Sequence, residues 1–147
     1  MQVISNFYTN TDNILTLEDR AVYTNGIQMT GYLRGYFKGL ESLDIVLSIV
    51  EFMKNKIGHF DSYDCYFLKY PKGTFIPLHK DDKVFNSKHY RFNLLLKQPK
   101  DSGFLFVDNK KYVLNSGDGY FFRPDIQEHE VTKVNSERVI LTVGTLI

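Results

Sequence analysis

The sequence predicts a mainly β protein, a two-sheet jelly roll (double-stranded β-helix) supported by one α-helix. Two observations lead to this prediction. One amphipathic segment with helical spacing ends near residue 57, and after it the chain breaks into eight short stretches rich in β-branched and aromatic residues. Short strands separated by turn residues at regular intervals are typical of antiparallel sandwiches and barrels.

The predicted helix precedes all eight strands. Its apolar residues recur at helical spacing and its polar residues fall on the other side, which is the pattern of a surface helix. Asp44 near its start and Lys56 near its end suit the helix dipole, and Gly58 fits a C-terminal stop. We therefore expect the helix to pack on the outside of a sheet. Its apolar face comprises Leu43, Val46, Leu47, Val50, Met53 and Ile57.

The predicted strands follow in order, each bounded by turn residues. Residues 108–110 (Asp-Asn-Lys) are typical of a hairpin turn, and residues 115–119 (Asn-Ser-Gly-Asp-Gly) of a tight loop. No internal repeat, linker or low-complexity segment interrupts the pattern. The predicted strands are 65–70, 75–79, 90–96, 104–107, 111–114, 119–123, 129–134 and 138–145.

The composition predicts one compact domain over residues 1–147, with 43% hydrophobic and 24% charged residues. The net charge of +1 gives no long-range attraction to nucleic acid or to an anionic membrane. No segment approaches the ~18 consecutive apolar residues of a membrane span. Cys65 is the only cysteine, so no intramolecular disulfide forms. We expect Cys65 to pack in the core of a soluble, cytoplasmic protein.

The most informative residues are His79, Asp81 and His129. Two imidazoles and one carboxylate can hold Fe(II) on one face, leaving positions open for an oxidisable cosubstrate and dioxygen. Side chains two residues apart on a strand project to the same side, so one strand can present both His79 and Asp81. His129, at the start of another predicted strand, supplies the third ligand. His59 and His89 lack partners at useful spacing and are interpreted as structural residues.

These three residues belong to a longer pattern. Tyr70 stands nine residues before His79, and Arg138 stands nine residues after His129. With these offsets, residues 66–147 resemble the 2-oxoglutarate- and Fe(II)-dependent oxygenases, especially the prolyl-hydroxylase-like branch. The other motifs that carry the resemblance are Tyr70-Pro71-Lys72-Gly73, Ser102-Gly103-Phe104-Leu105 and the turn, strand and proline of residues 116–124.

The resemblance implies an enzyme whose catalytic centre is Fe(II) held by His79, Asp81 and His129. It implies 2-oxoglutarate as cosubstrate and dioxygen as oxidant, with succinate and carbon dioxide as coproducts. The hydroxylated substrate is then a protein or peptide side chain, prolyl in type, or a small amino acid-like molecule.

Three further residues are expected to bind the cosubstrate. A planar guanidinium grips a carboxylate through two parallel hydrogen bonds, so Arg138 is expected to anchor the distal carboxylate of 2-oxoglutarate. By its match to the tyrosine of the family, Tyr70 is expected to be a phenolic donor to the cosubstrate. Thr142 shares the strand face of Arg138 and is expected to add a hydrogen bond to the same carboxylate.

Two other functions fit the same metal ligands. A nucleic-acid demethylase of the same superfamily usually carries another arginine six residues after the first, and position 144 is glycine, which argues against this function. A cupin-like metal-binding jelly roll without 2-oxoglutarate turnover would use the three residues as a structural or sensory site. Conversion of 2-oxoglutarate to succinate by the Fe(II)-loaded protein distinguishes the oxygenase from that module.

Two segments are candidates for contacts with a substrate. Residues 32–38 interleave basic and aromatic side chains, which fits either stacking on single-stranded bases or a half-buried strand. Residues 81–88 directly follow the first ligands and are the better candidate for a mobile substrate loop.

Overall fold

The structure, a computed structural model that describes all 147 residues, contains eleven strands and two α-helices. The eight strands predicted after the helix are all present, and their ends differ from the predicted ones by a few residues. In chain order the elements are β1 (Gln2–Ile4), α1 (Thr11–Glu18), β2 (Val22–Asn25), β3 (Leu33–Tyr36), a 3-10 turn (Leu40–Ser42), α2 (Asp44–Ile57), β4 (Asp64–Tyr70), β5 (Ile76–His79), β6 (His89–Lys97), β7 (Leu105–Val107), β8 (Lys110–Tyr112), β9 (Gly119–Phe122), β10 (His129–Val131) and β11 (Arg138–Leu146).

The strands form two antiparallel sheets. The major sheet has the order β1-β9-β6-β11-β4-β3-β2, and the minor sheet has the order β5-β10-β7-β8. Strand β11 lies at the centre of the major sheet, where β4 and β6 pair with most of its length. This arrangement confirms the predicted jelly roll, with non-sequential neighbours in both sheets.

Each face of the major sheet contributes to a different core. In β11, Val139 and Leu141 belong to the core beneath the helices, whereas Ile140 belongs to the core shared with the minor sheet. This alternation follows from the two-residue period of a strand. The helix-side core includes Met53 of α2, and it also contains the buried Cys65, as expected. The opposite face of the sheet is thereby left to form a cavity with the minor sheet.

Helix α2 packs against the major sheet and ends at Gly58, whose φ of 89° suits a C-terminal stop. Its buried face differs from the predicted one. Ile45 and Ile49 are buried, whereas Leu47, expected on the apolar face, is 48% exposed. The helix turns by about 100° per residue, so Leu47 lies to one side of the buried stripe and away from Ile45. No helix is long and apolar enough to cross a membrane.

The region before α2 contains elements that the sequence pattern did not predict. Strand β1 pairs with β9, and the β2–β3 hairpin extends the major sheet beyond β4. Strand β3 confirms the half-buried strand as the conformation of residues 33–36. Helix α1 is eight residues long and has no side-chain cap. Elements this short carry weak local signals and depend on pairing with the rest of the sheet.

The hairpin between β7 and β8 forms where the sequence predicts it. Asp108 and Asn109 have φ values of 50° and 65°. Positive φ at both central residues is the requirement of a type I′ turn, whose twist matches the twist of the flanking strands. Asparagine and aspartate tolerate this conformation better than most residues, which explains the turn at this position.

Candidate metal centre

The three predicted metal ligands meet between the two sheets. Strand β5 ends at His79, strand β10 begins at His129, and the two residues are cross-strand partners. Asp81 lies in the loop after β5. One potential ligand atom from each residue lies within 4.8 Å of the other two. Residues that are 50 positions apart in sequence are therefore brought to one point, as the spacing pattern predicts.

Asp81 reaches this point by a route that the sequence did not predict. Strand β5 ends at His79, so the expectation that one strand presents both His79 and Asp81 is wrong. The backbone N–H of Asp81 donates to the carbonyl oxygen of Pro124 at 2.8 Å. This hydrogen bond fixes the loop that carries Asp81. The common orientation of His79 and Asp81 therefore results from the loop and not from strand alternation.

Backbone carbonyls orient both imidazoles. Nδ1 of His79 lies 2.7 Å from the carbonyl oxygen of its neighbour Pro77, and Nδ1 of His129 lies 2.9 Å from that of Gln127. Because a carbonyl oxygen only accepts, each Nδ1 carries the proton, and each Nε2 keeps a lone pair. The two Nε2 atoms lie 3.3 and 3.6 Å from the same oxygen of Asp81. Such converging donors are arranged for a cation.

The charges of the three residues also suit a cation. When His79 is protonated, its Nε2 donates to Asp81, and this hydrogen bond raises the pKa of His79 above its usual value, although burial opposes it. Burial lowers the pKa of His129. Burial alone would raise the pKa of the Asp81 carboxyl, but the hydrogen bond from His79 and the nearby imidazoles lower it below its usual range. Asp81 is therefore a carboxylate at neutral pH.

A cavity extends from the metal ligands between the two sheets. Its walls include apolar side chains from both sheets, among them Leu68, Ile76 and Phe122. Asn93 of β6 also lines it and is 5% exposed. The Asn93 amide donates to the Tyr120 hydroxyl at 2.7 Å, while its oxygen has no partner. The cavity thus offers an unused polar atom that sequence patterns alone did not indicate.

Arg138 lies fully buried at the start of β11. Its Nε donates to Oε1 of Gln98 at 2.9 Å, but Nη1 and Nη2 have no partner. The guanidinium carbon lies 4.7 Å from the centroid of the Tyr70 ring, and Tyr70 in turn lines the cavity at the metal ligands. Leu105 borders both this cavity and the space around Arg138. A buried cation with two free donor groups is costly unless an anion completes it.

Thr142 lies on the same strand face as Arg138, as strand alternation predicts, but its hydroxyl serves another residue. It accepts a hydrogen bond from Nη1 of Arg91 at 2.9 Å. Nη2 of Arg91 contacts both carboxylate oxygens of Asp64 at 2.8 and 3.1 Å. Four residues of strand separate Thr142 from Arg138, or roughly 13 Å. The structure therefore places Thr142 beside Arg91 and away from the predicted carboxylate anchor.

Gly144 lies directly against the guanidinium of Arg91. A Cβ atom at residue 144 would lie 2.3 Å from Nη2 of Arg91. The space that a longer side chain would need is thus occupied by a buried guanidinium that is held by Asp64. A side chain at residue 144 would have to displace Arg91 from its hydrogen bonds with Asp64 and Thr142.

The two histidines that the sequence assigned to structural roles lie in different surroundings. His59 is on the surface, with 74% of its side chain exposed. His89 begins β6, and its Nδ1 lies 3.6 Å from the second oxygen of Asp81. Burial, together with Arg91, lowers the pKa of His89. His89 therefore belongs to the surroundings of the metal ligands, which no short-range spacing indicated.

No family model and no curated protein matches the sequence. Solved structures do match the fold. A prolyl-4-hydroxylase from Pseudomonas putida superposes with a TM-score of 0.74 at 19% identity, over 97% of this chain and 89% of that one. The viral collagen prolyl hydroxylase of Paramecium bursaria Chlorella virus-1, a 2-oxoglutarate complex, superposes with a TM-score of 0.72 at 15% identity. The match covers 97% of this chain and 92% of that one.

A third structure, a prolyl hydroxylase from Trichoplax adhaerens bound to a hypoxia inducible factor peptide, gives a TM-score of 0.76 at 18% identity, over 97% of this chain and 81% of that one. The fold is the one found in these three prolyl hydroxylases. At these identities the likeness establishes the fold, and it confirms the fold that the sequence resemblance implied. Chemistry has to be inferred from the residues of the site.

Proposed function

We propose that the protein is an Fe(II)- and 2-oxoglutarate-dependent dioxygenase that hydroxylates a protein or peptide side chain of the prolyl type. The observation that carries this proposal is the convergence of His79, Asp81 and His129 in a fold shared with prolyl hydroxylases. The buried, half-paired guanidinium of Arg138 adds the second element, a place for the cosubstrate.

The residues of the site fit both groups. Two Nε2 lone pairs and one ionised carboxylate form the facial donor set preferred by non-haem Fe(II), and they face the cavity. The free Nη1 and Nη2 atoms of Arg138 fit a carboxylate in the two-pronged geometry. When bound, Fe(II) and 2-oxoglutarate supply the oxidising chemistry, in which one oxygen atom of dioxygen goes to the substrate and the other to succinate, with loss of carbon dioxide.

The side chains of the protein then have separate tasks. His79, Asp81 and His129 would hold the metal, and the carbonyls behind the two imidazoles keep the Nε2 lone pairs directed to its position. Arg138 would bind the distal carboxylate, with the ring of Tyr70 against its guanidinium. Burial raises the pKa of Tyr70, so its hydroxyl stays protonated and is able to donate.

A polypeptide substrate is supported by the mouth of the site. The space that adjoins His79 and Asp81 is bordered by three apolar side chains, Ile27, Val84 and Leu146, which are 74%, 49% and 47% exposed. Exposed apolar residues around a polar site mark a surface for binding a partner. The Trichoplax structure holds its peptide in the same fold.

A small amino acid-like substrate is the second candidate, and Arg34 favours it. This side chain lines the cavity, and its guanidinium lies 4.1 Å from the centroid of the Tyr66 ring. Tyr66 also contacts Arg91 at 5.2 Å, but Arg91 is paired with Asp64, whereas Arg34 has no acidic partner. A free carboxylate on a small substrate would provide that partner.

The test is a mass survey with purified protein, Fe(II), 2-oxoglutarate and dioxygen. Proline-containing peptides and free amino acids are incubated separately, and the gain of one oxygen atom is followed with succinate formation. Oxygen gain by a peptide supports the first candidate, and gain by an amino acid alone supports the second. His129→Ala is the matched control, because it removes one ligand. Metal binding without any succinate would establish a metal-binding module instead.

We also propose that residues 1–147 act as one oxygenase domain in the cytoplasm. The single cysteine, Cys65, supports the location, since disulfides are typical of proteins in oxidising compartments and none forms within this chain. Imaging of a fluorescently tagged chain in intact cells tests the location. Accumulation outside the cytoplasm would overturn it.

A further inference from the structure

The loop between β9 and β10, residues 123–128, contacts two of the three metal ligands, and we call it the ligand loop. The carbonyl of Pro124 accepts the backbone N–H of Asp81 at 2.8 Å. The carbonyl of Gln127 accepts Nδ1–H of His129 at 2.9 Å. The position of Asp81 and the tautomer of His129 therefore both depend on where two carbonyl groups of one loop point.

A partly buried ion pair lies at the start of the ligand loop. Asp125 is 3% exposed, and its carboxylate accepts hydrogen bonds from Nε of Arg123 at 2.9 Å and from Nη2 at 2.7 Å. This is the two-pronged geometry that makes an arginine–carboxylate pair both strong and directional. Burial would raise the pKa of Asp125, but the hydrogen bonds from Arg123 and from the His89 N–H lower it. The pair is therefore charged at neutral pH.

Further hydrogen bonds make the ligand loop one connected unit. The side-chain oxygen of Gln127 accepts the backbone N–H of Arg123 at 2.8 Å, and its amide donates to Asp108 at 3.0 Å. The carbonyl of Arg123 accepts the N–H groups of Ile126 and Gln127. With these groups paired inside the loop, the carbonyls of Pro124 and Gln127 are left for the ligands.

The same ion pair also holds the far end of the segment that follows Asp81. The second oxygen of Asp125 accepts the backbone N–H of His89 at 3.3 Å, where β6 begins. Residues 81–89 are thus attached to the ligand loop at both ends, by Asp81 on Pro124 and by His89 on Asp125. A change at Asp125 would act on both attachments.

We propose that Asp125, paired with Arg123, is a positioning residue of the metal centre. It holds the ligand loop in the conformation that places Asp81 and selects the Nδ1–H tautomer of His129. The consequence for metal binding rests on the proposed function, whereas the tautomer is a property of the metal-free protein.

The first experiment is nitrogen NMR of the histidine rings in metal-free protein at about pH 8.5, where imidazoles are neutral. Wild type is expected to show His129 protonated at Nδ1. Asp125→Asn keeps the shape but loses the charge and one acceptor, so a substantial Nε2–H population is expected. An unchanged tautomer in a folded variant would overturn the proposal.

The second experiment measures Fe(II) affinity under anaerobic conditions. Removing an outer group that orients a ligand weakens metal binding by about 10- to 100-fold, and Asp125→Asn is expected in that range. Arg123→Gln should give a similar loss, and the double variant should lose little more, because the two residues act as one pair. Additive losses in the double variant would contradict a shared role.

Asp118→Asn is the matched control. Asp118 is also buried, at 6% exposure, and it also accepts backbone N–H groups, from Asn6 and Asn115 at 2.9 Å each. It lies before β9 instead of after it and contacts none of the three ligands. Its substitution should lower the thermal unfolding temperature while leaving the His129 tautomer and Fe(II) affinity unchanged. If Asp125→Asn also lowers the unfolding temperature but leaves the His129 tautomer and the Fe(II) affinity unchanged, Asp125 has only a structural role.

Two outcomes need separate treatment. If Asp125→Asn does not fold, Arg123→Lys keeps the charge and loses only the two-pronged contact. An intermediate loss of Fe(II) affinity is then expected, and wild-type affinity and tautomer would overturn the proposal. If wild type binds no Fe(II), the proposed function fails, and the tautomer measurement still decides the role of Asp125.

Discussion

The two ends of the cavity are built on different principles. At the metal end, each imidazole already has a carbonyl partner, and both Nε2 atoms face Asp81. At the other end, Arg138 has one hydrogen bond, to Gln98, and two free nitrogens. The metal end is thus arranged before any ligand arrives, whereas the anchor end is completed by one. Preorganised geometry suits a metal, and an unpaired buried charge suits an anion.

The largest effect is expected where the preorganised end loses a ligand. His79→Ala or His129→Ala removes one of three donors, and Fe(II) affinity should fall by more than about 100-fold, beyond the loss typical of an outer residue. Anaerobic titration against a competing chelator measures this. His59→Ala is the control, because that side chain is 74% exposed and distant from the site. Wild-type affinity in either ligand variant would remove that residue from the metal centre.

The second-largest effect is expected at Arg138, at the anchor end of the cavity. Arg138→Ala removes a charge-assisted contact and should weaken 2-oxoglutarate binding by roughly 2–4 kcal/mol, about 30- to 1,000-fold. Arg138→Lys should bind with intermediate affinity, because it keeps the charge and loses the fork. Titration into anaerobic Fe(II)-loaded protein, followed by the metal-to-ligand absorption band, gives the affinity, while Fe(II) binding should change little. Equal affinities for wild type and Arg138→Ala would end the anchor assignment.

Lowering the pH should weaken ligand binding more at the metal end of the cavity than at the anchor end. The pKa of His79 is raised above 6.5 by its hydrogen bond to Asp81, so its proton competes with a metal from neutral pH downward. Fe(II) affinity should therefore fall by about tenfold per pH unit below that raised pKa, because the metal must displace one proton. The pKa of His129 is lowered, so its proton competes only at lower pH. An affinity that stays constant between about pH 8 and pH 6 would contradict this order.

The smallest effect is expected for the loss of the Tyr70 hydroxyl at the anchor end of the cavity. Tyr70→Phe removes one hydroxyl and keeps the ring on which the Arg138 guanidinium lies. Loss of one hydrogen bond is worth about 0.5–1.5 kcal/mol, so 2-oxoglutarate affinity should fall by roughly 2- to 10-fold. The same absorption titration measures it. No change would assign Tyr70 to packing alone, and a loss as large as that of Arg138→Ala would mean that the hydroxyl carries more of the binding.

Local signals explain what the sequence predicted well. The strands after residue 63 are rich in β-branched and aromatic residues, and the turn at Asp108 and Asn109 has residues suited to positive φ. His79 and His129 were identified because their chemistry and spacing, together with Arg138, form a pattern that few sequences contain by chance. These features depend on residues that are close in the chain or on fixed offsets.

Contacts between distant segments explain what the sequence did not predict. His89 lies near Asp81 only because β6 starts beside the ligand loop. Thr142 bonds to Arg91 because the register of β11 on β6 brings them together. Residues on one strand face share an orientation, but a two-residue period does not say which neighbour each one meets.

The close approach of Gly144 and Arg91 constrains how this site can change over evolution. A side chain at residue 144 collides with the Arg91 guanidinium, which Asp64 and Thr142 hold in place. Replacing Gly144 alone therefore requires the Arg91 guanidinium to move away from Asp64 and Thr142. The two positions are expected to covary in related chains, with a large residue at one accompanied by a small residue at the other.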